Sequence, residues 1–213
     1  MLMTGAKFCA ALGVRFSTLP TKLRASRGLP DADRSCDACG GQVLESLGHI
    51  LNNFTRTHGA VVKRHDRILG ELKKILTKAG FIVAVEPRFH TSLGLRKPDL
   101  VVYKQGERAA VVDVTITSDM YTDPDTPHWS KCEYYGTPEI VEEVTRLAGI
   151  EPTFSSVTIS WRGVWAPASA RDMIELGMSK RDIQLLSVIT VEWGCAIHRL
   201  FQTSTHRGNI RPP

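Results

Sequence analysis

Two aspartates, Asp99 and Asp113, flank a pair of apolar, β-branched stretches separated by a short polar turn. The stretches, Leu100 to Val102 and Ala109 to Ile116, predict antiparallel strands, and Gln105-Gly106-Glu107 predicts the hairpin turn between them. If the turn centres on its glycine, Asp99 lies directly opposite Asp113, with Cβ atoms roughly 5 Å apart. Two carboxylates that close repel each other unless a cation lies near them.

A hard divalent ion such as Mg²⁺ or Mn²⁺ would relieve this repulsion, since it binds through one or two carboxylates. Bound there, it could polarise a phosphate and lower the pKa of an attacking water. A register shifted by one residue would instead point the two side chains apart. The apolar run Val111-Val112-Asp113-Val114 argues against a solvated aspartate in this strand. The spacing therefore predicts either a metal site for phosphate chemistry or, in the shifted register, two unrelated strand residues.

A second group of chemically active residues precedes the hairpin. Cys36 and Cys39 form a CxxC pair, and His49 follows with nine residues between. Thiolate and imidazole are the usual ligands of structural zinc, which takes four of them. The chain has five cysteines, and an odd number with one close pair is typical of a reducing compartment rather than of a disulfide framework. The pattern predicts a Zn²⁺ site with an incomplete ligand set.

The composition favours a globular protein with a polyanionic partner. The 213 residues are 42% hydrophobic and 23% charged, with a formal net charge of +5. Such a basic excess favours nucleic acid as a partner, although many basic proteins bind none. The apolar stretches are too short to cross a membrane, and the first residues lack the basic lead and cleavage site of a signal peptide. We therefore expect no membrane partner.

The elements that would position these residues are helices packed on a sheet. Val61, Ile68, Leu72 and Ile75 follow helical spacing, and Gly80 is a natural C-terminal stop. The predicted order is a helix, three strands, a helix, a strand and two final helices, at 59–79, 81–86, 100–102, 109–116, 137–147, 153–161, 167–176 and 180–201. This order predicts a mixed α/β layer fold.

Lys97-Pro98-Asp99 followed by Val112-Asp113 resembles the motif of the PD-(D/E)XK nuclease superfamily. Longer blocks resemble, in the same order, the restriction-like endonuclease domain at the C-terminus of the Pol polyprotein of R-two-type non-LTR retrotransposable elements, which insert into ribosomal RNA genes. The blocks are HILNNFTRTHGAVVKRHDRI (49–68), VEPRFHTSLGLRKPDLVVY (85–103), YYGTPEI (134–140), SVTISWRGVW (156–165) and SKRDIQLLSV (179–188). The acidic motif alone would be weak, whereas the ordered blocks cover most of the chain from about residue 17 to residue 202.

The resemblance implies a fold and a division of the chain. The fold would be α/β, with a mixed-sheet PD-(D/E)XK nuclease core of αβββαβ type, a small N-terminal zinc-knuckle-like segment and C-terminal helices. The division would be a linker and short helix at 1–35, a degenerate CCHC-like zinc knuckle at 36–58, a restriction-like endonuclease domain at 59–205 and a tail at 206–213.

The resemblance also implies catalytic roles for four residues. Asp99 and Asp113 would hold the metal ion. Lys131 would supply the ammonium that the motif otherwise carries two residues after the second acid, where Thr115 stands here; taken alone, Lys131 would be an ordinary solvated lysine. Tyr135 matches the aromatic residue that follows the lysine, and would position a phosphate or pack in the core.

The sequence leaves two metal ligands undecided: the third ligand of the catalytic metal and the fourth ligand of the zinc site. Glu86 ends the strand before the hairpin and is either a third ligand of the catalytic metal or a surface acid. In the resembled zinc knuckle the last ligand is a cysteine, and Phe54 stands at that position here. His58 or a water would replace the missing ligand; otherwise the cysteines and the histidine are relics of a lost site.

Basic residues near both groups are candidates for contacts with nucleic-acid phosphates, because guanidinium and ammonium groups bind them directly. Lys63, Arg64 and Arg67 are expected on the polar face of the helix at 59–79. Each candidate would otherwise be a solvated surface residue. The full set is Arg56, Lys63, Arg64, Arg67, Arg88 and Arg96.

The resemblance implies an endonuclease that nicks duplex target DNA at a ribosomal RNA gene-like site, in the nucleus, to prime target-primed reverse transcription. The rest of such a polyprotein would be an RNA-directed DNA polymerase that brings the element RNA. Two alternatives stay open: a non-catalytic nucleic-acid-binding module, and a junction-resolving or repair nuclease of the same fold. The presence of both Asp99 and Asp113 favours catalysis over the first, and the blocks outside the core favour the retroelement over the second.

Overall fold

The computed structural model describes residues 4–40, 43–119 and 121–206 of the chain. The predicted tail beyond residue 206 therefore lies outside the described residues. The helices are α1 (Gly5–Arg15), α2 (Lys22–Ala25), α3 (Leu47–Asn52), α4 (His58–Lys78), α5 (Thr126–Tyr135), α6 (Pro138–Ala148), α7 (Pro167–Glu175) and α8 (Lys180–His206). The strands are β1 (Ile82–Val85), β2 (Phe89–Thr91), β3 (Gly94–Arg96), β4 (Leu100–Lys104), β5 (Arg108–Thr117) and β6 (Thr153–Ser160).

Within the described ranges, the main sheet has the strand order β1-β4-β5-β6. The pairs β1–β4 and β4–β5 are antiparallel, whereas β6 lies parallel to β5. The parallel pair requires a crossover between its strands, and α5 and α6 provide it. The prediction of a mixed α/β fold is confirmed, with a sheet that is itself mixed.

The central hairpin has the register that its glycine turn predicts. Leu100 pairs with Val112, and Tyr103 pairs with Ala109. Gly106 has a φ of 68°, which a residue with a side chain adopts only with strain. The same register, continued by one residue, places Asp99 opposite Asp113.

Both faces of the sheet are covered, as the apolar character of both faces of the hairpin requires. On one face Val102 and Val112 pack with α4, α7 and α8, in a core that includes Leu72. On the other face Val101 and Val111 pack against residues of α5 and α6, among them Tyr135, Ile140 and Val144. Side chains alternate between the faces of a strand, so Asp99 and Asp113 share the face that α5 and α6 cover.

The N-terminal segment and the end of the chain form a core of their own. Val14 of α1 packs with Ile50 of α3, and with Ile197 and Phe201 of α8. Among the described helices, none is both long enough and apolar enough to span a lipid bilayer.

Two elements near the candidate site are absent from the sequence prediction. Helix α5 carries Lys131, and its polar and aromatic residues give little helical periodicity. The β2–β3 hairpin has strands of only three residues each, too short to produce an alternating pattern. Both elements depend on tertiary contacts more than on their own sequence.

Candidate functional site

Strand β5 places Asp113 in a buried position, with 4% of the residue exposed. The Tyr135 hydroxyl donates to Asp113 Oδ1 at 2.9 Å. Thr115 Oγ1 donates to Asp113 Oδ2 at 2.9 Å, and Lys131 Nζ lies 2.9 Å from the same oxygen. A buried carboxylate is stable only with such partners, and here one of them is a full positive charge.

Helix α5 brings Lys131 and Tyr135 to Asp113 together, since residues four apart lie on one side of a helix. Lys131 keeps 37% of its side chain exposed, so its ammonium reaches both the carboxylate and solvent. Burial, followed by the charge of Asp113, raises the pKa of Tyr135 well above its usual range. The phenol therefore stays protonated and acts as a hydrogen-bond donor. Its hydroxyl also lies 3.2 Å from the Lys97 carbonyl oxygen.

Asp99 lies at the entry to β4, beside the backbone of β5. The Val114 amide donates to Asp99 Oδ2 at 2.6 Å. His65 Nε2, from helix α4, lies 3.2 Å from the same oxygen. The hydrogen bond with Asp99 raises the pKa of His65. No role for His65 follows from the sequence, because only its place one turn after Val61 marks it as a residue at the edge of the buried face of α4.

Glu86 does not join the two aspartates. Its carboxylate pairs with Lys97 Nζ at 2.9 Å, and half of its side chain is exposed. Its backbone amide donates to the Asp99 carbonyl oxygen at 2.8 Å, which holds the strand end beside Asp99 and leaves the side chain outside. Glu86 also has a φ of 49°, an uncommon conformation for a residue with a Cβ. Among the described residues, no third acid completes a group of ligand atoms around Asp99 and Asp113.

The donor set of this pair suits a hard divalent cation. Two carboxylates on facing strand positions offer oxygen ligands, which Mg²⁺ and Mn²⁺ prefer. A cleft of about 550 Å³ adjoins the pair, and its walls include His65, Thr115 and Lys131. The groups that could react with a substrate are therefore accessible from solvent, although Asp113 itself is buried.

A buried polar network joins α5 to β6 and α7. His128 is fully buried; its Nδ1 lies 2.9 Å from Ser156 Oγ on β6, and its Nε2 lies 3.3 Å from Asp172 Oδ2 on α7. One turn later, Cys132 Sγ donates to the Phe154 carbonyl oxygen at 3.2 Å. Burial raises the pKa of Cys132 to about 11, so it stays a thiol. These bonds fix the position of α5 against β6 and α7, and with it the position of Lys131.

The candidate phosphate-binding residues divide by burial. Lys63 and Arg67 are exposed on α4, where Arg67 pairs with Glu71 at 2.8 Å. The placement of Arg64 on this polar face is wrong, because only 1% of it is exposed. Arg64 continues the buried stripe of α4, one turn after Ala60 and one turn before Ile68. Its Nη2 donates to Asn52 Oδ1 at 2.9 Å, and burial lowers its pKa to about 10.

The other three arginines lie in two places. Arg56 is exposed before α4, where its Nη1 donates to the Ser204 carbonyl oxygen at 3.4 Å. Arg88 is exposed just before β2. The guanidinium of Arg96, on β3, lies 4.0 Å from the centre of the Tyr134 ring on α5. Arg88 and Arg96 therefore flank the aspartate pair through the short β2–β3 hairpin.

The cysteine and histidine residues predicted to bind zinc come together. The ligand atoms of Cys36, Cys39 and His49 all lie within 4.8 Å of one another, and Cys39 Sγ lies 3.5 Å from His49 Nε2. Burial lowers the pKa of His49, which favours the neutral ring that binds metals. Two sulfur atoms and an imidazole nitrogen suit Zn²⁺, so this group is a possible metal site.

Phe54 closes the side of this group where the fourth ligand is expected. Its ring meets the His49 ring edge-on at 5.9 Å and the Phe201 ring at 4.9 Å, and 1% of the residue is exposed. His58 is exposed at the start of α4, and it is not part of the group around the cysteines. The expectation that His58 replaces the missing ligand is therefore wrong for this arrangement.

No protein-family model matches the sequence. The chain is 35% identical, over 190 residues, to the retrovirus-related Pol polyprotein from type-2 retrotransposable element R2DM of Drosophila melanogaster, covering 88% of the chain. It is 31% identical over 200 residues to the Pol polyprotein from type-1 retrotransposable element R2 of Nasonia vitripennis, covering 92% of the chain. An R2 Pol polyprotein of Popillia japonica is 30% identical over 204 residues, which cover 95% of the chain and 41% of that relative. The chain spans only 18% and 19% of the length of the first two.

Proposed function

Because the chain belongs to the R2 retrotransposon Pol polyproteins, of which it represents one segment, we propose that it is a metal-dependent endonuclease of the PD-(D/E)XK type that nicks target DNA. The observation that carries this proposal is the juxtaposition of two acids and an ammonium. The hairpin register, continued by one residue beyond the pair Leu100–Val112, puts Asp99 opposite Asp113. Lys131 Nζ lies 2.9 Å from Asp113. A Pol polyprotein acts on nucleic acid, and phosphodiester hydrolysis is the chemistry that this set of groups suits.

Asp99 and Asp113 would hold the divalent ion. When bound, Mg²⁺ or Mn²⁺ supplies a Lewis acid for the phosphate and lowers the pKa of the attacking water. Glu86 has no part in this set, because its carboxylate is paired with Lys97.

The protein's own residues fix the acids and stabilise charge. Tyr135 and Thr115 donate to Asp113 and hold its carboxylate in one orientation. His65 and the Val114 amide do the same for Asp99. Lys131 is partly exposed toward the cleft, where its ammonium can stabilise the negative charge that develops on a phosphate oxygen. Water adds to phosphorus, the bond to the leaving 3′ oxygen breaks, and that oxygen takes a proton to become the free 3′-hydroxyl.

The wider role of the segment follows from its relatives. A free 3′-hydroxyl is what a polymerase extends, so the nick would prime reverse transcription of the element RNA by the polymerase of the parent polyprotein. The substrate would be duplex target DNA at a ribosomal RNA gene-like site, and the reaction would take place in the nucleus. Zn²⁺ at Cys36, Cys39 and His49 would be structural.

The test is conversion of supercoiled plasmid DNA to the nicked form in the presence of Mg²⁺ or Mn²⁺. Asp99→Asn and Asp113→Asn should each abolish nicking while the protein stays folded. Asp31→Asn is a matched control, because Asp31 is exposed in the N-terminal segment and its substitution should leave the rate unchanged. Retained DNA binding without any metal-dependent nicking by the parent protein would favour the non-catalytic binding module instead.

A further inference from the structure

The β2–β3 hairpin exposes two leucines at its tip. Phe89 pairs with Arg96 at its base, and Thr91 pairs with Gly94 at its end. Phe89 is buried against the sheet, whereas Leu93 and Leu95 are 69% and 52% exposed. Apolar side chains in water at the end of a two-stranded ribbon stabilise nothing within the chain. Two exposed leucines close together on one preformed hairpin are a candidate surface for a partner.

The hairpin tip is held rigidly in this exposed position. The Ser92 amide donates to Glu139 Oε1 on α6 at 2.6 Å, and this bond to the half-buried carboxylate lowers the pKa of Glu139 to about 2. Thr91 Oγ1 donates to the Gly94 carbonyl oxygen at 2.7 Å. Gly94 has a φ of 102°, which a side chain would oppose. The tip is thus already ordered in the free protein, so its leucines can contact a partner without a further loss of conformational freedom.

The hairpin lies next to the two aspartates. Strand β3 runs directly into Lys97, whose carbonyl oxygen lies 3.2 Å from the Tyr135 hydroxyl. Leu93 precedes Asp99 by six residues, so at about 3.4 Å per residue the two can be no more than roughly 20 Å apart. Along duplex DNA that distance corresponds to about six base pairs.

Two arginines at the base of the hairpin carry charges complementary to a nucleic-acid backbone, whereas the carboxylate of Glu139 lies at the tip. Arg88 is exposed before β2, and Arg96 spreads its guanidinium over the Tyr134 ring, 4.0 Å from its centre. Lys97 pairs with Glu86, so on the hairpin itself the two arginines are the positive charges available to phosphates. An apolar tip with two arginines at its base fits a duplex better than it fits an apolar protein surface, where the guanidinium groups would be costly to bury.

We propose that the β2–β3 hairpin is a DNA wedge: Leu93 and Leu95 press between base pairs in the minor groove while Arg88 and Arg96 contact the flanking phosphates. Proteins that kink DNA use apolar side chains in this way, and unstacking a step costs a few kilocalories per mole that the added contacts offset. The inference rests on the proposed function for the choice of duplex DNA as partner. It predicts a kinked base-pair step within about six base pairs of the nick. The kink would expose the scissile phosphate to the candidate active site.

A binding comparison tests the wedge independently of the chemistry. The probes are a duplex of about 30 base pairs and the same duplex with two adjacent T·T mismatches, whose bases are already partly unstacked. With no added divalent metal, the parent protein should bind the mismatched duplex roughly tenfold more tightly, since less unstacking is needed. The double variant Leu93→Ser/Leu95→Ser should bind both duplexes with nearly equal affinity. Leu29→Ser, at a leucine that is 56% exposed in the N-terminal segment, should keep the full preference.

The outcomes separate the wedge from the nuclease. Equal affinity of the parent protein for the two duplexes, or an unchanged preference in the double variant, would overturn the wedge. A preference for the mismatched duplex that is lost in the double variant would support it, even if the parent protein fails to nick plasmid DNA with Mg²⁺. Absence of nicking by the parent protein would overturn the proposed function but not the wedge. Far-ultraviolet circular dichroism of each variant verifies that the fold is intact.

Discussion

The ammonium of Lys131 and the carboxylate of Asp113 lie 2.9 Å apart, which joins helix α5 to strand β5 at the candidate active site. The acid is buried and the base is partly exposed, with 6% and 37% of their side chains accessible. A lysine in this position does two things at once. It compensates the charge of Asp113 in the protein alone, and its ammonium lies within reach of a phosphate that enters the cleft.

Replacement of Lys131 by alanine should lower nicking by roughly two orders of magnitude, the scale seen when one donor to a developing oxyanion is removed. DNA affinity should change little, because the ammonium acts mainly in the transition state. Single-turnover nicking and fluorescence anisotropy with the same duplex give the two quantities. Lys73→Ala, at an exposed position of α4, is the control and should alter neither. Undiminished nicking by Lys131→Ala would assign the role to another basic residue near the hairpin.

The salt dependence of DNA binding should separate exposed from buried basic residues. Each ammonium or guanidinium that contacts phosphate contributes about 0.9 to the slope of log affinity against log salt concentration. Lys63→Ala/Arg67→Ala should therefore flatten the slope by up to roughly 1.8, since both side chains are exposed.

Arg64→Ala should behave differently, with an unchanged slope and a less stable protein. Its guanidinium is buried and bonded to Asn52 Oδ1 at 2.9 Å, and removal leaves that amide oxygen without its donor at a cost of about 1–3 kcal/mol. Binding isotherms at several salt concentrations and urea unfolding distinguish the two variants. A flattened slope for Arg64→Ala alone would place its guanidinium on phosphate.

Zinc content tests the group around Cys36. The reduced protein should carry about one zinc ion per chain, and Cys36→Ser should lose it. Phe54→Cys should bind zinc more tightly, because it supplies a fourth ligand, the third thiolate of the site. Without metal the same variant should be destabilised by about 3 kcal/mol, since the Phe54 ring is fully packed against His49 and Phe201. A chelator assay and thermal unfolding with and without zinc measure both effects; a folded, reduced protein free of zinc would make the group a relic.

The sequence predicts those residues of the site whose positions are set by neighbouring residues. It does not predict those whose positions depend on tertiary contacts. The register of Asp99 and Asp113 follows from one glycine turn and two β-branched runs, so it was predictable residue by residue. Lys131 was reached only through the resemblance, because α5 has no clear periodicity. Arg64 was predicted on the polar face of α4 as a phosphate contact, and no role was predicted for His65. Their roles depend on which face of α4 packs against the sheet. The sequence does not identify that face at this point, because a polar residue, Arg64, interrupts the apolar pattern of the buried positions.

The stability of the protein should depend on pH through His198. This residue is buried on α8, where its Nε2 lies 2.9 Å from the Pro20 carbonyl oxygen, and burial lowers its pKa. With a folded-state pKa below the unfolded value of about 6.5, the unfolded chain binds the proton more readily. The neutral, buried ring of His198 therefore contributes to the free energy of unfolding above pH 6.5. This contribution is lost as the pH falls from 6.5 through the lowered pKa. His198→Gln should remove this dependence, so urea unfolding of both proteins between pH 5 and pH 8 should give curves that diverge on the acid side.

The buried network under α5 should control catalysis through position alone. His128 bonds Ser156 and approaches Asp172, and it lies one turn before Lys131 on the same helix. His128→Ala removes one partner each from Ser156 and Asp172, which keep their bonds to Thr158 and Ser155, and the lost buried bonds should cost about 1–3 kcal/mol of stability. Nicking should fall because α5 then holds Lys131 and Tyr135 less firmly over Asp113, while DNA affinity stays close to that of the parent. His128→Asn keeps one polar contact and should recover part of the nicking rate. Nicking and affinity that fall in the same proportion for His128→Ala would mean that the network supports the fold as a whole and has no particular role in placing Lys131.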